Sequence, residues 1–429
     1  MRNYIWILPF ILITGFVFGY TLNNDDPKKD KLLLEIISYV LDRGHYNPKD
    51  FNDEFSENVF SNYLENIDGQ HRFFLNSDIK SFESYRFKID DELKTNEINF
   101  FTLTYSRLMQ RMKQVESFYK ELLEKPFNFS IKEEIDLNYE EIPYTNNIFE
   151  LKSIWRKRFK LSTLETFTAK KDEEIQKKNQ DANYEMIPDD DLEKIAREDI
   201  LENMNYFFEN YNDLKRKDWF SIYINSIVIQ FDPHTYYFAP RDKDRFDMSI
   251  SGKFEGIGAR LSKRNQQVKI VEIISGGPVW RENLLEVGDA ILKVRQQDDQ
   301  EAIDISGMVL DDAVKLIKGP KGSQVFLTIK RVEGNIEEVA ITRDIVELEE
   351  TYVKSTLIKD ETGDYGLIEL PKFYISFEDY NKRNAATDVK KELEQLKQKN
   401  VKGIILDLRN NGGGLSLIHI SEPTRRKHI

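Results

Sequence analysis

FEGIGARLSKRNQQVKIVEIISGGPVWRENLLEVGDAILKV, from Phe254 to Val294, is the stretch on which the fold turns. FEGIGARL, QVKIVEII and DAILKV have the alternating, β-branched texture of short strands. RNQQ, 264–267, turns the chain between the first two, and Gly276-Gly277-Pro278 turns it again into a short helix. The pattern runs on toward the C-terminus. GMVLDDAVKLIKGPKG, 307–322, is a helix with Val309, Ala313, Leu316 and Ile317 on one face, closed by Gly319-Pro320. SQVFLTIKR, 323–331, alternates Val325, Leu327 and Ile329 inward. Residues 247–331 therefore read as a compact β-barrel-like module.

On the N-terminal side, residues 30–240 read as a helical domain. In DKLLLEIISYVLDRGHY, Leu33, Ile36, Ile37, Val40 and Leu41 form the stripe of an amphipathic helix, with Asp30 as N-cap and Gly44 as stop. Similar stripes run through 100–125 and 191–211. AKKDEEIQKKNQDAN, 169–183, is charged all round and reads as a solvated helix or loop. PDDD, 188–191, lacks the spacing of a calcium loop and suits a helix start, where acidic side chains oppose the dipole. On the C-terminal side, 364–374 is a strand, 382–400 an amphipathic helix and VKGIILDL, 401–408, an apolar strand of the kind buried on both faces. Strand, helix, strand opens an α/β core, assigned to residues 332–414. The fold class is multidomain α+β.

The chain has 429 residues, enough for about two to four domains, and a formal net charge of −13. That balance excludes a dedicated nucleic-acid binder, which carries a basic footprint. With no cysteines there are no disulfides, thiolate nucleophiles or Cys-based metal sites. No two of the 5 histidines stand at ligand spacing, so neither a metal nor a cofactor is expected. Residues 1–22 begin with a basic start, followed by the apolar run IWILPFILITGFVFGY and an abrupt polar turn. This is the layout of an export signal. Residues 4–20 are also close to the minimum of about 17 for crossing a bilayer. Export to the periplasm or cell envelope is expected, by a cleaved signal or a retained membrane anchor.

IDGQHRFFLNSDI (67–79), FDPHTYYFAP (231–240), FEGIGARL, SGGPVW, LDDAVKLIKGPKG, YGLIELPKFY and VKGIILDLRNNGGG follow one another in an order that resembles the tail-specific, or C-terminal processing, proteases. The module at 247–331 resembles their PDZ domain. The resemblance implies an envelope serine endopeptidase that takes unstructured protein C-termini as substrates and cleaves with a serine–lysine dyad. A noncatalytic PDZ-containing adaptor is the alternative.

The residues support tail binding on physical grounds. Backbone N–H groups at Ile257, Gly258 and Ala259 can form a nest for a terminal carboxylate. The strand from Arg260 offers an edge for β-augmentation, and the helix carrying Val309 and Ala313 is expected as the other wall. Glycines there let backbone come close. In the family, the NGGG loop supplies a backbone N–H to the oxyanion, which makes Gly412 or Gly413 the donor, with Arg409 and Asn410 holding the loop. Asp232 and His234 invite a triad reading but read better as a structural joint, with Tyr236, Tyr237 and Phe238 as packing. His71 is read the same way.

The family's nucleophile and base stand some tens of residues beyond the glycine loop, and Ser416 and Ser421 follow that loop too closely to serve. LSLIHISEPTR, 415–425, resembles a translated sequencing-library adapter. Residues 415–429 are therefore expected to be a non-native or disordered tail. The protease domain is expected to be cut before its catalytic pair, leaving the 429-residue chain inactive.

Overall fold

The structure, a computed structural model, describes residues 27–139, 142–361, 363–375 and 383–414. The export segment, Ser416 and Ser421 and the tail from 415 lie outside the described residues. The chain divides into two compact units, Met1–Ala239 and Pro240–Ile429.

The first unit is helical: α1 (Pro27–Gly44), α2 (Asp53–Asp68), α3 (Asn76–Phe82), α4 (Ile89–Thr95), α5 (Asn99–Glu124), α6 (Ile148–Gln180), α7 (Asp189–Asp213) and α8 (Arg216–Val228). The apolar stripes decide which faces go inward. Along α5, Phe101, Thr104, Leu108, Met112, Val115 and Tyr119 are buried at the three- and four-residue spacing of one helical face. The core is largely aromatic. Tyr63 and Tyr223 meet edge to face with centroids 5.1 Å apart, and Phe60 stacks on Phe100 at 5.3 Å, geometries that add to the burial of the rings themselves. The charged stretch 169–183 lies mostly within α6, and Asp189, Asp190 and Asp191 form the first turn of α7 as expected.

Two buried carboxylates organise the 67–79 stretch. Asp68 accepts the backbone N–H groups of Arg72 (2.7 Å), Phe73 (3.2 Å) and Phe74 (2.8 Å), which fixes the chain as it leaves α2. Asp78, fully enclosed, accepts Leu75 N–H at 2.9 Å, Arg111 at 2.7 and 2.9 Å and Arg107 at 2.6 Å. His71, at φ 48°, stacks on Tyr144 with centroids 3.7 Å apart. His234 is exposed, and its backbone N–H donates to Asp232. Tyr46 donates to the same carboxylate, and Tyr237 is tied to Asn225 through both its N–H and its C=O.

The second unit opens with α9 (Pro240–Ser251), followed by β1 (Lys253–Gly256), β2 (Ala259–Arg264), β3 (Gln267–Ile273), α10 (Pro278–Glu282), β4 (Ala290–Gln296), β5 (Ile303–Asp304), α11 (Leu310–Ile317), β6 (Gln324–Lys330), β7 (Ile336–Thr342) and β8 (Asp344–Glu347). The sheet order is β2-β3-β4-β6-β7, with β5 on β4. This corrects the barrel expectation: among the described residues the sheet is open, because β2 and β7 each have one neighbour and do not pair with each other. The turn at RNQQ holds Asn265 and Gln266 at φ 52° and 61°, as a tight hairpin with consecutive left-handed residues requires. β1 and β8 pair antiparallel, so the strands entering and leaving the module are zipped together.

Beyond them, β9 (Lys354–Asp360), β10 (Gly363–Glu369), α12 (Ala385–Gln398) and β11 (Gly403–Asp407) form a sheet of order β11-β10-β9. β10 and β11 are parallel and joined through α12, the expected α/β start. β11 departs from the doubly buried expectation. Ile404, Ile405 and Leu406 are about half exposed, because β11 has only β10 beside it among the described residues.

Candidate functional site

Two features of the second unit bear on chemistry. The first surrounds Gly258. β2 pairs with β3 alone and leaves its other edge open among the described residues, the arrangement that accepts an added strand. Immediately before that edge, Ile257 and Gly258 are buried. Their carbonyls accept Val279 N–H at 3.1 Å and Ile274 N–H at 2.9 Å. Their own N–H groups have no protein acceptor among the described residues. Buried backbone donors normally find a partner, and a pair of them in one glycine turn is a ready seat for an anion.

The glycines act here by a route the sequence did not suggest. Gly258 sits at φ 83°, and a Cβ on it would lie 2.9 Å from the Cα of Gly277. A Cβ on Gly277 would meet Gly258 in turn, also at 2.9 Å. The close approach is thus between two turns of this chain, which lock the Ile257-Gly258 turn against the start of α10. Arg281 reinforces the lock. It donates to Gly276 C=O at 3.2 Å and to Asp344 at 2.8 Å. Lys321 first, then Arg281, holds the Asp344 carboxyl well below the usual range.

The other sequence-derived groove residues fall as follows. Arg260 is exposed and pairs with Glu272 across β2 and β3 at 2.8 Å. Val309 is the half-buried N-cap of α11. Ala313 is fully enclosed in the module core with Ile257, Val268 and Ile317. α11 lies next to β2, and the half-buried Ala259, Leu261 and Leu310 supply apolar surface along the two elements.

The second feature is the loop after β11. Leu370 N–H donates to Asp407 C=O at 3.0 Å, and Phe373 N–H donates to Gly413 C=O at 2.9 Å. Asn411, overlooked in the sequence, ties the loop together. Its Nδ2 donates to Leu370 C=O at 2.8 Å, and its Oδ1 accepts Gly413 N–H, also at 2.8 Å. The Gly413 donor is therefore engaged. Gly412 is exposed, and its N–H has no protein acceptor among the described residues. Asn410 takes φ 62°, and Arg409 reaches back to Asp407, whose carboxyl it draws down to about 2. A cleft of about 300 Å³ lined by Tyr352, Lys354, Glu369, Leu370, Asp407 and Arg409 lies alongside. Among the described residues no cluster of His, Asp or Glu could hold a metal ion.

Comparison with known proteins covers the same three regions. Residues 37–241 match the model of the tail specific protease N-terminal domain, 247–330 the PDZ domain and 364–422 peptidase family S41. A tail-specific protease of Haemophilus influenzae is 28% identical over 376 residues, covering 87% of this chain and 50% of that protein. The carboxy-terminal processing protease CtpA of Bacillus subtilis is 33% identical over 185 residues, covering 43% of this chain and 35% of that protein. A crystal structure of the PDZ domain of a carboxy-terminal protease from Vibrio cholerae, in complex with peptide, is 38% identical; it covers 22% of this chain and 99% of that one, with a TM-score of 0.22. This chain thus spans half or less of the length of these two full-length relatives.

Proposed function

From a chain that belongs to the tail-specific protease family, we propose a protein that acts as a serine endopeptidase on polypeptides whose free, unstructured C-termini it first captures. The observation that carries this reading is the turn at Ile257-Gly258. Two buried N–H groups stand together without a protein acceptor, directly ahead of an open strand edge. A tail laid along β2 would gain backbone bonds from that edge, and its terminal carboxylate would fill the turn. Any extended segment could pair with the edge, but filling the turn as well calls for a chain end with a free carboxylate.

The loop at 410–414 supports the second half of the reading. With Gly413 N–H held by Asn411, Gly412 is the donor we assign to the oxyanion. A backbone donor placed where negative charge develops contributes a factor of about 10²–10³ to kcat. We place the nucleophilic serine and its lysine base outside residues 1–414. We also propose that residues 1–22 direct export to the cell envelope. Residues 4–20 lie outside the described residues; among those described, no helix is long and apolar enough to cross a membrane.

The test is cleavage of a disordered polypeptide ending in apolar residues by the protein made from the complete gene. Cleavage is expected with a free C-terminus, is unaffected by chelators and slows when the terminus is amidated. Tail binding without cleavage would favour the noncatalytic adaptor.

A further inference from the structure

Arg343 is an unusual residue to find inside this module. It is 3% exposed and has no acidic partner among the described residues, and taking a charge out of water is costly unless other groups compensate. The compensation is entirely neutral and comes largely from one place. Nε donates to Ile317 C=O at 2.8 Å and Nη2 to Leu316 C=O at 3.0 Å, the last carbonyls of α11. Nη2 also donates to Gln296 Oε1 at 2.7 Å, and Nη1 to Ser323 Oγ at 3.0 Å. Gln296 closes the arrangement by donating its Nε2 to the same Leu316 C=O at 2.8 Å. A cation at a helix C-terminus meets the negative end of the helix dipole. The flat fork of a guanidinium can span several acceptors at once, where an ammonium cannot.

The consequence is geometric. β4 and β6 carry Gln296 and the chain leading from Ser323, so the guanidinium ties the end of α11 to the middle of the sheet. At its other end α11 is held by an exposed ion pair from Asp311 to Arg245 on α9. Gly319 confirms how tightly the guanidinium is seated: a Cβ there would lie 2.9 Å from Arg343 Cζ. α11 lies beside β2, across the surface where a bound tail would sit.

We propose that Arg343 is a positioning residue for tail recognition, setting the distance of α11 from β2 and hence the size of terminal side chain the groove accepts. This rests on the tail-binding reading of that groove. The 429-residue chain would be titrated with two fluorescent peptides that differ only in a terminal Ala or Phe, both as free acids. Arg343→Met releases α11 and should shift the ratio of the two affinities at least threefold toward Phe. Arg343→Lys keeps the charge without the fork and should restore part of the original ratio. Gly319→Ala leaves Arg343 in place but displaces its guanidinium, and should shift the ratio in the same direction even if Arg343→Met fails to fold. A ratio unchanged in Gly319→Ala and in the folded Arg343 variants, with both affinities falling together, would show a merely structural residue and overturn the proposal. A wild-type chain that binds neither peptide would instead defeat the groove reading itself.

Discussion

Alanine at Gly258, Gly277 and Gly276 separates backbone strain from steric contact across two facing turns. Gly276 lies at φ 77° with nothing within 4 Å of a new Cβ, so Gly276→Ala carries only the cost of a left-handed residue, about 1 kcal/mol. Gly277 has ordinary backbone angles, φ −73° and ψ 166°. A Cβ there would nonetheless sit 2.9 Å from Gly258 Cα and 3.1 Å from Ile274 C=O, and both neighbours are backbone that cannot swing aside. Overpacking of that kind costs about 1–3 kcal/mol. Gly258 combines the two at φ 83° and 2.9 Å, so Gly258→Ala should cost about 2–5 kcal/mol. The assay is hydrogen exchange at the amides of Val279 and Ile274, which bond to Ile257 and Gly258 across the approach. Loss of protection should follow the order Gly258, Gly277, Gly276. Equal, mild effects at Gly277 and Gly276 would refute the close approach, and with it this account of how the loop is held.

Other outcomes follow from the same geometry. Asp78→Ala leaves the buried guanidinium of Arg111 without its partner and should destabilise the helical unit by about 3–5 kcal/mol in urea denaturation. Glu174 is drawn from 4.5 to about 2, first by Lys177 and then by Ile187 N–H, where it pins the chain between α6 and α7. Because its folded value is the lower one, its stabilisation is full above pH 4.5 and disappears as pH falls through about 2. Exchange at the Ile187 amide should rise across that window, and a flat profile would contradict the pin. The 429-residue chain by itself should leave a disordered substrate intact; cleavage by it would direct attention to Ser416, Ser421 and the histidines.

Much of this was legible in the sequence because it is local. The stripe of α5, the hairpin at Asn265-Gln266 and the strand–helix–strand of 364–408 depend on spacing along the chain, and the structure has them where spacing put them. In α1 it buries Leu34 and Leu41 but leaves Ile36 and Val40 of the expected stripe exposed. That helix begins at Pro27, so Asp30 lies inside it and is not its N-cap. What escaped depends on contacts between distant segments. Gly258 reads as part of a carboxylate nest and Gly277 as a turn glycine, yet each is needed because the other is there. Asn411 is one of two adjacent asparagines, and its bonds to Leu370 and Gly413 distinguish it from Asn410. Arg343 carries no local signal in the sequence, and its burial depends on the end of α11 beside it. β11 reads as doubly buried from its apolar run, a pattern that describes what the strand needs rather than the neighbours it has.

The central claim, capture of a free chain end by the turn at Ile257-Gly258, is tested most directly by comparing one apolar-ended peptide as its C-terminal acid and as its amide. Binding of both to the 429-residue chain would be measured under identical salt. The account predicts that amidation weakens binding at least tenfold, about 1.4 kcal/mol, since it removes the charge that the two unpartnered N–H groups would hold. Equal affinities would contradict it and leave the glycine turn a purely structural element.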